Sequence, residues 1–361
     1  MKRSTNLLKT SSLLIIVTIC TVIIGEVLVR IILPQDKMIT WIEMHPDGFV
    51  MNQSGGSAFH EFGDRMANYH FTKERLRGTK LDSNKVNILT IGDSFTFGLL
   101  LNEEKIYVHL LQEKADIISP DSIQFLNAAV GGSGLADWPG WLDEYGEEVA
   151  PKFLLYFMNY DDVNRALSKN LFIYNQSTPY SLIKSQRWAP RSFLNNLGQK
   201  RWYRWLQSNS HIANIAVSVL WKNIYFKDLT DNFNPEKSSV PIPSLDSFAE
   251  ESDYSNKLTN AILEKINSWC DLNGCKFLVI NTGYFEMEQM SIYDQKFYDW
   301  VRYDTLNHNF NYFDNVACVQ EKAGLNLDEI KISGDSHPNE RGSQIIANCT
   351  WEILASELAN Q

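Results

Sequence analysis

Short apolar runs alternate with longer stretches of helical periodicity along most of the chain from Lys85 onward. This alternation is typical of an α/β domain, because a parallel strand is covered on both faces and reads as a nearly continuous apolar segment. The pattern therefore predicts a parallel sheet covered by helices. The apolar runs predict strands near residues 86–91, 123–126, 153–158 and 276–281 with a weaker strand near 311–318, and the periodic stretches predict helices near 103–115, 136–148, 250–270 and 341–357.

The first 33 residues follow a different pattern. Residues 13–25 are uncharged, and the apolar character continues beyond Glu26 and Arg30. This length approaches the ~20 residues that a membrane-spanning helix needs. Glu26 and Arg30 are four residues apart, so they can pair on one helix face near the far interface. We expect residues 1–33 to be a cytoplasmic tip and transmembrane anchor, with residues 10–33 in the lipid bilayer.

The charges around this segment predict its orientation. Basic residues before an apolar helix favour a cytoplasmic N-terminus, so we expect the rest of the chain to lie outside the cytoplasmic membrane, in the periplasm of a Gram-negative cell. A cleaved signal peptide is the alternative, but no clear small-x-small cleavage site precedes Glu26. The basic residues are Lys2, Arg3 and Lys9.

Two further segments depart from the α/β pattern. Residues 34–80 combine turn formers with aromatic fragments and predict a small, strand-rich connector ahead of a main domain at residues 81–361. Residues 164–245 interrupt that domain. No Asp or Glu lies between Val163 and Lys227, while basic residues there are interleaved with Trp and Tyr.

Three interpretations of this basic, aromatic-rich helical insertion stay open. It is a set of helices packed on the main domain with solvated cations, a substrate cap, or a face that lies against anionic lipid head groups. The net charge of −10 and the expected location outside the cell argue against a nucleic-acid partner.

The cysteines fit a location outside the cytoplasm. Cys20 lies in the expected anchor, and four of the five cysteines lie beyond it. An even number allows two disulfides, and free buried thiols fit the sequence as well. The spacing of Cys270 and Cys275 is not that of a zinc site, and no His-Glu-x-x-His or Cys-x-x-Cys motif occurs, so we expect no metal. The other two cysteines are Cys318 and Cys349.

A serine follows the first predicted strand of the sheet, in the segment VNILTIGDSFTFG at residues 86–98. Gly92 permits a sharp bend, and Asp93 and Ser94 are residue types that favour a helix N-terminus. Ser94 is therefore expected at the carboxyl edge of the sheet, where backbone N–H groups have no partner within the helix. This position suits a nucleophile.

A second Gly-Asp-Ser triplet lies near the C-terminus, in GDSHPNERG at residues 334–342. It follows no buried-strand pattern, and its useful residues are Asp335 and His337. A serine hydroxyl needs an adjacent imidazole as its base, and the imidazole needs a carboxylate that fixes its tautomer. Ser94, His337 and Asp335 supply these groups, so we expect them to form a catalytic triad.

Acyl transfer also requires hydrogen-bond donors for the oxyanion that forms on the carbonyl group. We expect three: the backbone N–H of Ser94, a backbone N–H of the glycine-rich segment at residues 127–134, and the side-chain amide of Asn159. The carboxyl ends of adjacent parallel strands meet at one sheet edge, so these groups can converge. Taken separately, the glycine-rich segment and Asn159 also fit a tight loop and a helix cap.

Together the segments ILTIGDSFTFG, NAAVGGSG, FMNYDD and GDSHPNERG resemble the motifs of the SGNH hydrolase superfamily, the GDSL-type esterases. The resemblance spans residues 86–342. It implies a three-layer α/β/α sandwich around a central parallel sheet of about five strands. Many relatives have Asp directly after the asparagine, whereas this chain has Tyr160 there.

The resemblance also implies roles for single residues. The match to the glycine motif selects one glycine of the glycine-rich segment as the backbone donor. By resemblance, Ser94 is the nucleophile and an oxyanion donor, Gly132 and Asn159 are the other donors, Asp335 is the acid and His337 is the base.

The chemistry that the resemblance implies is a two-step acyl transfer without a metal or organic cofactor. We expect a membrane-tethered, extracytoplasmic esterase that removes short acyl groups, such as acetyl, from cell-envelope or exported glycans. Two alternatives stay open. One is an O-acyltransferase that acylates a glycan with the same site, and the other is a non-catalytic envelope protein that binds glycan or lipid. The sequence does not separate hydrolase from transferase, because acceptor choice depends on the exclusion of water.

Overall fold

The computed structural model describes residues 2–175, 181–184, 197–198, 200–220, 248–282, 311–324 and 326–358. The strands are β1 (Ile42–Met44), β2 (Val50–Asn52), β3 (Gly56–Phe62), β4 (Arg65–Phe71), β5 (Val86–Gly92), β6 (Ile123–Asn127), β7 (Phe153–Met158), β8 (Phe172–Asn175), β9 (Ser181–Lys184), β10 (Lys276–Asn281) and β11 (Asn311–Asp314). The helices are α1 (Lys2–Ile32), α2 (Ser94–Phe97), α3 (Tyr107–Ile118), α4 (Trp138–Trp141), α5 (Glu147–Val149), α6 (Tyr160–Lys169), α7 (Arg201–Asn209), α8 (His211–Leu220), α9 (Phe248–Asn273), α10 (Val316–Ala323) and α11 (Glu340–Leu358).

A parallel sheet of five strands, in the order β11-β10-β7-β5-β6, forms the centre of the molecule. All six residues of β7 are buried, because side chains on both faces of the sheet are covered. One face packs against α4, α6 and α9, and the other packs against α3, α10 and α11. The predicted α/β fold, a three-layer sandwich around a five-stranded parallel sheet, is confirmed.

The predicted strand near residues 311–318 is too long. Strand β11 ends at Asp314, and helix α10 begins two residues later at Val316. The Asp314 carboxylate accepts the backbone N–H of Val316 at 2.9 Å, so this side chain supplies a partner for a donor of the first helical turn. The prediction carried the strand across Asp314 and Asn315, two polar residue types that favour a helix start, into the apolar residues of α10.

Residues 10–24 of the N-terminal helix α1 are exposed and stand apart from the α/β domain. Its segment Thr10–Ile32 has a mean hydropathy of 2.6, and none of its most apolar window is buried by the rest of the chain. Length and composition therefore make it a candidate membrane span, and a signal sequence near an N-terminus has the same properties.

Residues 34–80 contain two antiparallel strand pairs, β1 with β2 and β3 with β4. They pack against the domain through an aromatic cluster. The ring of Trp41 stacks on Phe97 with 5.3 Å between centroids, and the ring of Tyr69 meets Phe97 edge-on at 5.0 Å. Phe97 lies in α2, directly after β5. This segment therefore supports the part of the main domain that carries Ser94.

Two disulfides join cysteines outside α1. Cys270 at the end of α9 is bonded to Cys275, and Cys318 of α10 is bonded to Cys349 of α11. Cys20 of α1 is a free, exposed cysteine.

The predicted insertion at residues 164–245 lies partly outside the described residues. Within the described part, α6 extends from Tyr160 to Lys169 and packs on the main domain. Strands β8 and β9 then form a hairpin, and α7 and α8 follow one another with a single residue, Ser210, between them.

Candidate active site

Ser94 is the first residue of α2, a single helical turn that follows β5. The chain bends at Gly92, which has a φ of +153°, and a Cβ atom there would lie only 2.2 Å from Thr96 Oγ1. The Asp93 carboxylate accepts the backbone N–H of Phe95 at 2.8 Å and caps the turn. The turn holds Ser94 at the carboxyl edge of the sheet with 7% of its surface exposed.

The last loop of the fold meets this turn. His337 Nε2 lies 2.7 Å from Ser94 Oγ, although the two residues are 243 positions apart in the chain. The other ring nitrogen, Nδ1, is hydrogen-bonded to the Asp335 carboxylate, which also accepts the backbone N–H of His337 at 2.8 Å. The three residues expected to form a triad therefore lie in the order of a nucleophile, its base and an orienting carboxylate.

Hydrogen bonds from His337 keep Asp335 in its ionised form. The bond from the His337 side chain lowers the pKa of Asp335 below its ordinary value, and partial burial opposes this shift. An ionised carboxylate accepts the Nδ1–H, which leaves Nε2 as the acceptor that faces the Ser94 hydroxyl. The loop is closed by Ile332, whose N–H donates to the His337 carbonyl oxygen at 2.9 Å and whose carbonyl oxygen accepts the Asp335 N–H at 2.9 Å.

The residues expected to stabilise an oxyanion flank Ser94 on both sides. Gly132 follows β6 and Asn159 follows β7, and β5 lies between these two strands in the sheet. The Ser133 hydroxyl donates to the Gly92 carbonyl oxygen at 3.0 Å, which ties the glycine-rich segment to the nucleophile turn. Gly132 itself has a φ of +74°, a conformation that favours glycine. The three predicted donors thus lie at the carboxyl ends of three adjacent strands.

A hydrogen bond from the start of α6 holds Asn159 in place. The Asp162 carboxylate accepts the Asn159 backbone N–H at 3.0 Å, and the Asn159 carbonyl oxygen accepts the Asp162 N–H at 3.0 Å. A carboxylate at the third helical position that bonds back to the residue before the helix is half of a capping box. The acidic partner of Asn159 is therefore three residues away, and Tyr160 is accommodated as the first residue of the helix.

Arg165 joins the three loops of the site, a role that the sequence analysis missed because this residue was grouped with the cations of the insertion. Its Nη1 donates to Asp93 Oδ2 at 2.9 Å and to the Ser133 carbonyl oxygen at 3.0 Å, and lies 3.7 Å from Asp162 Oδ1. Asp93 lies in the turn that carries Ser94, Ser133 lies in the glycine-rich segment, and Asp162 lies in α6, the helix after Asn159. The available signal was the three-residue spacing of Asp162 and Arg165, which places them on one helix face.

The charges of this cluster depend on one another. Burial and the nearby Asp93 carboxylate raise the pKa of Asp162 well above its ordinary value, and Arg165 opposes this shift. Burial works against the charge of Arg165, but Asp93 and Asp162 outweigh it and raise its pKa. The Tyr156 hydroxyl adds a hydrogen bond to Asp162 at 2.9 Å. Arg165 is therefore the cation that allows two buried carboxyl groups to lie behind the site.

Arg77 holds the C-terminal end of α2, the helix that begins at Ser94. Its buried guanidinium donates to the carbonyl oxygens of Phe97, of Gly98 at 2.9 Å and of Leu101 at 2.5 Å. Burial lowers the pKa of Arg77 to about 10, so the group stays a cation at neutral pH. It supplies donors to carbonyl groups that the single turn of α2 leaves without helical partners.

The β3–β4 hairpin lies next to the loop that carries Asp335 and His337. Arg65 donates to both carboxylate oxygens of Glu340, at 3.0 Å and 3.1 Å, and Glu340 begins α11 three residues after His337. Burial lowers the pKa of His60, while the charges of Asp36 and Asp335 oppose the shift. His60 is thus close enough to Asp335 to be affected by the charge of that carboxylate.

The described residues contain no group of three or more His, Cys, Asp or Glu side chains that could hold a metal ion.

The sequence matches no family model, and it matches no curated protein significantly. Similar solved structures include TesA, which is 13% identical with a TM-score of 0.42 and covers 75% of this chain and 98% of its own.

Two further similar structures are named as esterases. EstA, a psychrotrophic esterase from Pseudoalteromonas sp., is 13% identical with a TM-score of 0.42 and covers 76% of this chain and 100% of its own. Axe2, an acetylxylan esterase from Geobacillus stearothermophilus, is 13% identical with a TM-score of 0.43 and covers 76% of this chain and 95% of its own. Similarity at this level assigns no activity, so the function has to be judged from the site of this chain.

Proposed function

We propose that this chain is a serine esterase of the SGNH type that is tethered to the cytoplasmic membrane by α1, with its α/β domain outside. The proposal depends on the contact of 2.7 Å between Ser94 Oγ and His337 Nε2, with Asp335 on the other ring nitrogen. A protein that only binds has no physical need for a hydroxyl, an imidazole and a carboxylate in series. This geometry therefore favours catalysis over a non-catalytic role.

The reaction that we propose has two steps. In the first, His337 Nε2 takes the Ser94 proton as Oγ bonds to the carbonyl carbon, and then gives it to the alcohol oxygen as the ester bond breaks, which leaves an acyl-serine. In the second, His337 takes a proton from water as the water oxygen bonds to the acyl carbon, and then gives it to Ser94 Oγ as the bond between Oγ and the acyl carbon breaks, which releases the carboxylic acid and restores the Ser94 hydroxyl. The oxyanion in each step accepts hydrogen bonds from the N–H groups of Ser94 and Gly132 and from the Asn159 side chain.

The substrate that we propose is a short acyl ester, such as an acetyl ester, on a cell-envelope or exported glycan. The apolar helix α1 supports attachment to a membrane, and the basic residues before it favour a cytoplasmic N-terminus. The two disulfides favour an oxidising compartment outside the cytoplasm. A tethered site in that compartment is within reach of glycans close to the membrane.

The hydrolysis of a small aryl acetate by the purified full-length protein in detergent tests the proposal. We expect turnover that Ser94→Ala abolishes, because this change removes the nucleophile and little packing. Ser336→Ala is the matched control, since it removes the serine of the second Gly-Asp-Ser triplet and should leave most of the activity. Equal rates for Ser94→Ala and the unchanged protein would refute the assignment.

The same protein can then be given an acyl donor with and without an acetyl-accepting glycan. Free acid as the main product in both mixtures supports the esterase. Acylated glycan as the main product would show that the same site serves as an acyltransferase.

A further inference from the structure

Helices α7 and α8 are attached to the end of the N-terminal helix. The carboxylate of Glu26 in α1 accepts the backbone N–H groups of His211 at 2.8 Å and Ile212 at 3.1 Å, and the hydroxyl of Ser210 at 2.9 Å. The two backbone N–H groups are donors that the start of α8 leaves without helical partners. A residue of the candidate membrane span therefore caps α8.

Two more contacts fix the turn between α7 and α8 on the same side of α1. Arg30 donates to the carbonyl oxygen of Asn209 at 2.9 Å, and the backbone N–H of Gln35 donates to His211 Nδ1 at 2.8 Å. Arg30 also lies 3.4 Å from Glu26, so the acidic residue of the span has a charged partner. The polar residues in the C-terminal part of α1 are thus used to hold this turn.

One face of α7 packs on the domain, and the other carries exposed tryptophans. Tyr203 and Gln207 are buried, and Arg204 donates to the Ser57 carbonyl oxygen of β3 at 3.0 Å. On the opposite side, Trp202 and Trp205 are 57% and 63% exposed. Indole side chains are enriched where a membrane meets water, because their rings are apolar and their N–H group is polar.

Helix α8 adds apolar surface without charge. Its sequence, HIANIAVSVL, has no acidic or basic residue besides His211, and Val219 and Leu220 at its end are 52% and 54% exposed. Residues 10–24 of α1 are exposed throughout, so α8 does not pack along the span but turns away from it. Its apolar end is therefore uncovered in the described part of the chain.

Glu26, which caps α8, lies at the depth in the candidate span that is expected for the start of a helix in the membrane interface. Glu26 precedes Ile32, the last residue of the candidate span, by a distance of about 9 Å at ~1.5 Å per residue. Interfacial helices bury their apolar faces by ~5–10 Å. The region also has the charge that attracts an anionic surface, because α7 and α8 contain no Asp or Glu while Lys200 and Arg201 are exposed.

We propose that residues 201–220 form a second membrane contact, in which Trp202, Trp205 and the apolar end of α8 lie in the head-group region of an anionic bilayer. The proposal requires α1 to be embedded in the membrane. It goes beyond the esterase assignment, which makes no statement about this surface. The contact would fix the domain at a constant height and orientation above the lipid.

Fluorescence quenching in the full-length protein tests this contact. The protein is reconstituted in vesicles of phosphatidylcholine and phosphatidylglycerol. The lipids carry a nitroxide in the head group for labels at positions 205, 220 and 117. They carry it near the end of the acyl chain for a label at Cys20, which lies about 18 Å from Ile32 at ~1.5 Å per residue. In a Cys20→Ser background, a single environment-sensitive label is placed by Trp205→Cys or Leu220→Cys. Ile117→Cys is the matched control, because Ile117 is an exposed apolar residue, 82% accessible, at the end of α3. The native Cys20 reports on α1 itself when labelled.

We expect the labels at positions 205 and 220 to be quenched by the nitroxide lipids and protected from aqueous iodide, and the label at position 117 to show the reverse. Replacement of phosphatidylglycerol by phosphatidylcholine should weaken the quenching at position 205 and leave that at Cys20 unchanged.

Labels at 205 and 220 that behave like the label at 117 would overturn the proposal. Protection from iodide without lipid quenching would also overturn it, because a protein would then cover the surface. An unquenched Cys20 label would show that α1 is not embedded in the membrane and would also overturn the proposal. Aryl acetate hydrolysis in the same samples tests the esterase assignment separately.

Discussion

The imidazole of His337 is oriented by a residue only two positions before it. Asp335 bonds both the ring and the backbone N–H of His337, so the loop sets the tautomer without help from another element. An imidazole that loses this partner is misoriented but is still a base, whereas loss of the Ser94 hydroxyl removes the nucleophile. We therefore expect the loss of kcat in Asp335→Ala to be roughly 10- to 100-fold smaller than the loss in Ser94→Ala. Steady-state hydrolysis of an aryl acetate by both variants measures the difference, and equal losses would contradict it.

Asn159 is the predicted oxyanion donor that mutagenesis can remove directly. Its backbone is held by Asp162, so a shortened side chain should leave the loop in place. We expect Asn159→Ala to lower kcat by about 10²–10³-fold with a much smaller change in KM, because the donor acts mainly on the charge that forms during the reaction. The exposed Asn84→Ala serves as the control. An unchanged kcat in Asn159→Ala would show that the oxyanion forms elsewhere.

Arg165 is a positioning residue, and its loss should destabilise the fold because it removes the positive charge beside two buried carboxyl groups. Arg165→Met leaves the Asp93 and Asp162 carboxyl groups buried without their cation, so we expect a loss of about 3 kcal/mol in the free energy of unfolding. The double variant Arg165→Met with Asp162→Asn removes one of the two acids and should recover part of that loss. Denaturant titrations of the three proteins measure this, and a loss that the second change does not reduce would assign the effect to packing.

The stability of Arg165→Met should also depend on pH. The pKa of Asp162 is raised in the folded protein, so its burial destabilises the fold above the pKa of the unfolded carboxyl group, about 3.9. Removal of Arg165 raises that pKa further. The gap in unfolding free energy between Arg165→Met and the unchanged protein should therefore be wider at neutral pH than near pH ~4. A gap of constant size would argue against a neutralising role for Arg165.

At the scale of elements, the regular strands were the most predictable part of the molecule. Strands β5, β6, β7 and β10 read as apolar runs because the sheet is covered on both faces, and the boundaries agree within a residue or two. The sequence predicted the start of the one-turn helix α2 but not its end, because that end depends on Gly98 with a φ of +79° and on Arg77 from an earlier segment. Helix α10 was missed because the predicted strand was extended across Asp314 and Asn315, where the helix starts.

In the candidate site, residues that belong to short motifs were predicted from the sequence, whereas a residue whose contacts are distant in the chain was not. The roles of Ser94, Asp335 and His337 were suggested by short motifs, and the fold brought the three side chains together. Arg165 carried no motif, and its partners Asp93 and Ser133 are 72 and 32 residues away in the chain. Only the three-dimensional packing of the loops showed what this cation does.

The two disulfides differ in how much chain they close. Cys270–Cys275 spans 5 positions, whereas Cys318–Cys349 spans 31 positions and joins α10 to α11. A crosslink that closes more chain restricts the unfolded state more, so removal of Cys318–Cys349 should cost about 3–4 kcal/mol and removal of Cys270–Cys275 about 2 kcal/mol. Denaturant titrations of the paired Cys→Ala variants test this order. The reverse order would show that packing around Cys270, and not chain restriction, decides the effect.

At the scale of the whole molecule, residues 34–80 are part of the folded body. Trp41 and Tyr69 pack on Phe97, and Arg77 holds the carbonyl groups at the end of the nucleophile helix. We expect an exported chain that starts at residue 34 to unfold cooperatively and to hydrolyse aryl acetates, whereas a chain that starts at residue 81 should do neither. Circular dichroism on heating, together with an activity assay, measures both. An active chain from residue 81 would show that the segment is only a spacer.

The order of the chain has a consequence for synthesis. The segment of α1 precedes Ser94 in the chain, and Ser94 precedes His337 by 243 positions. Synthesis therefore supplies the Ser94 hydroxyl well before the imidazole that we propose as its base. Under the proposed tether, α1 can therefore enter the membrane before the groups that we propose to cleave an ester are all present.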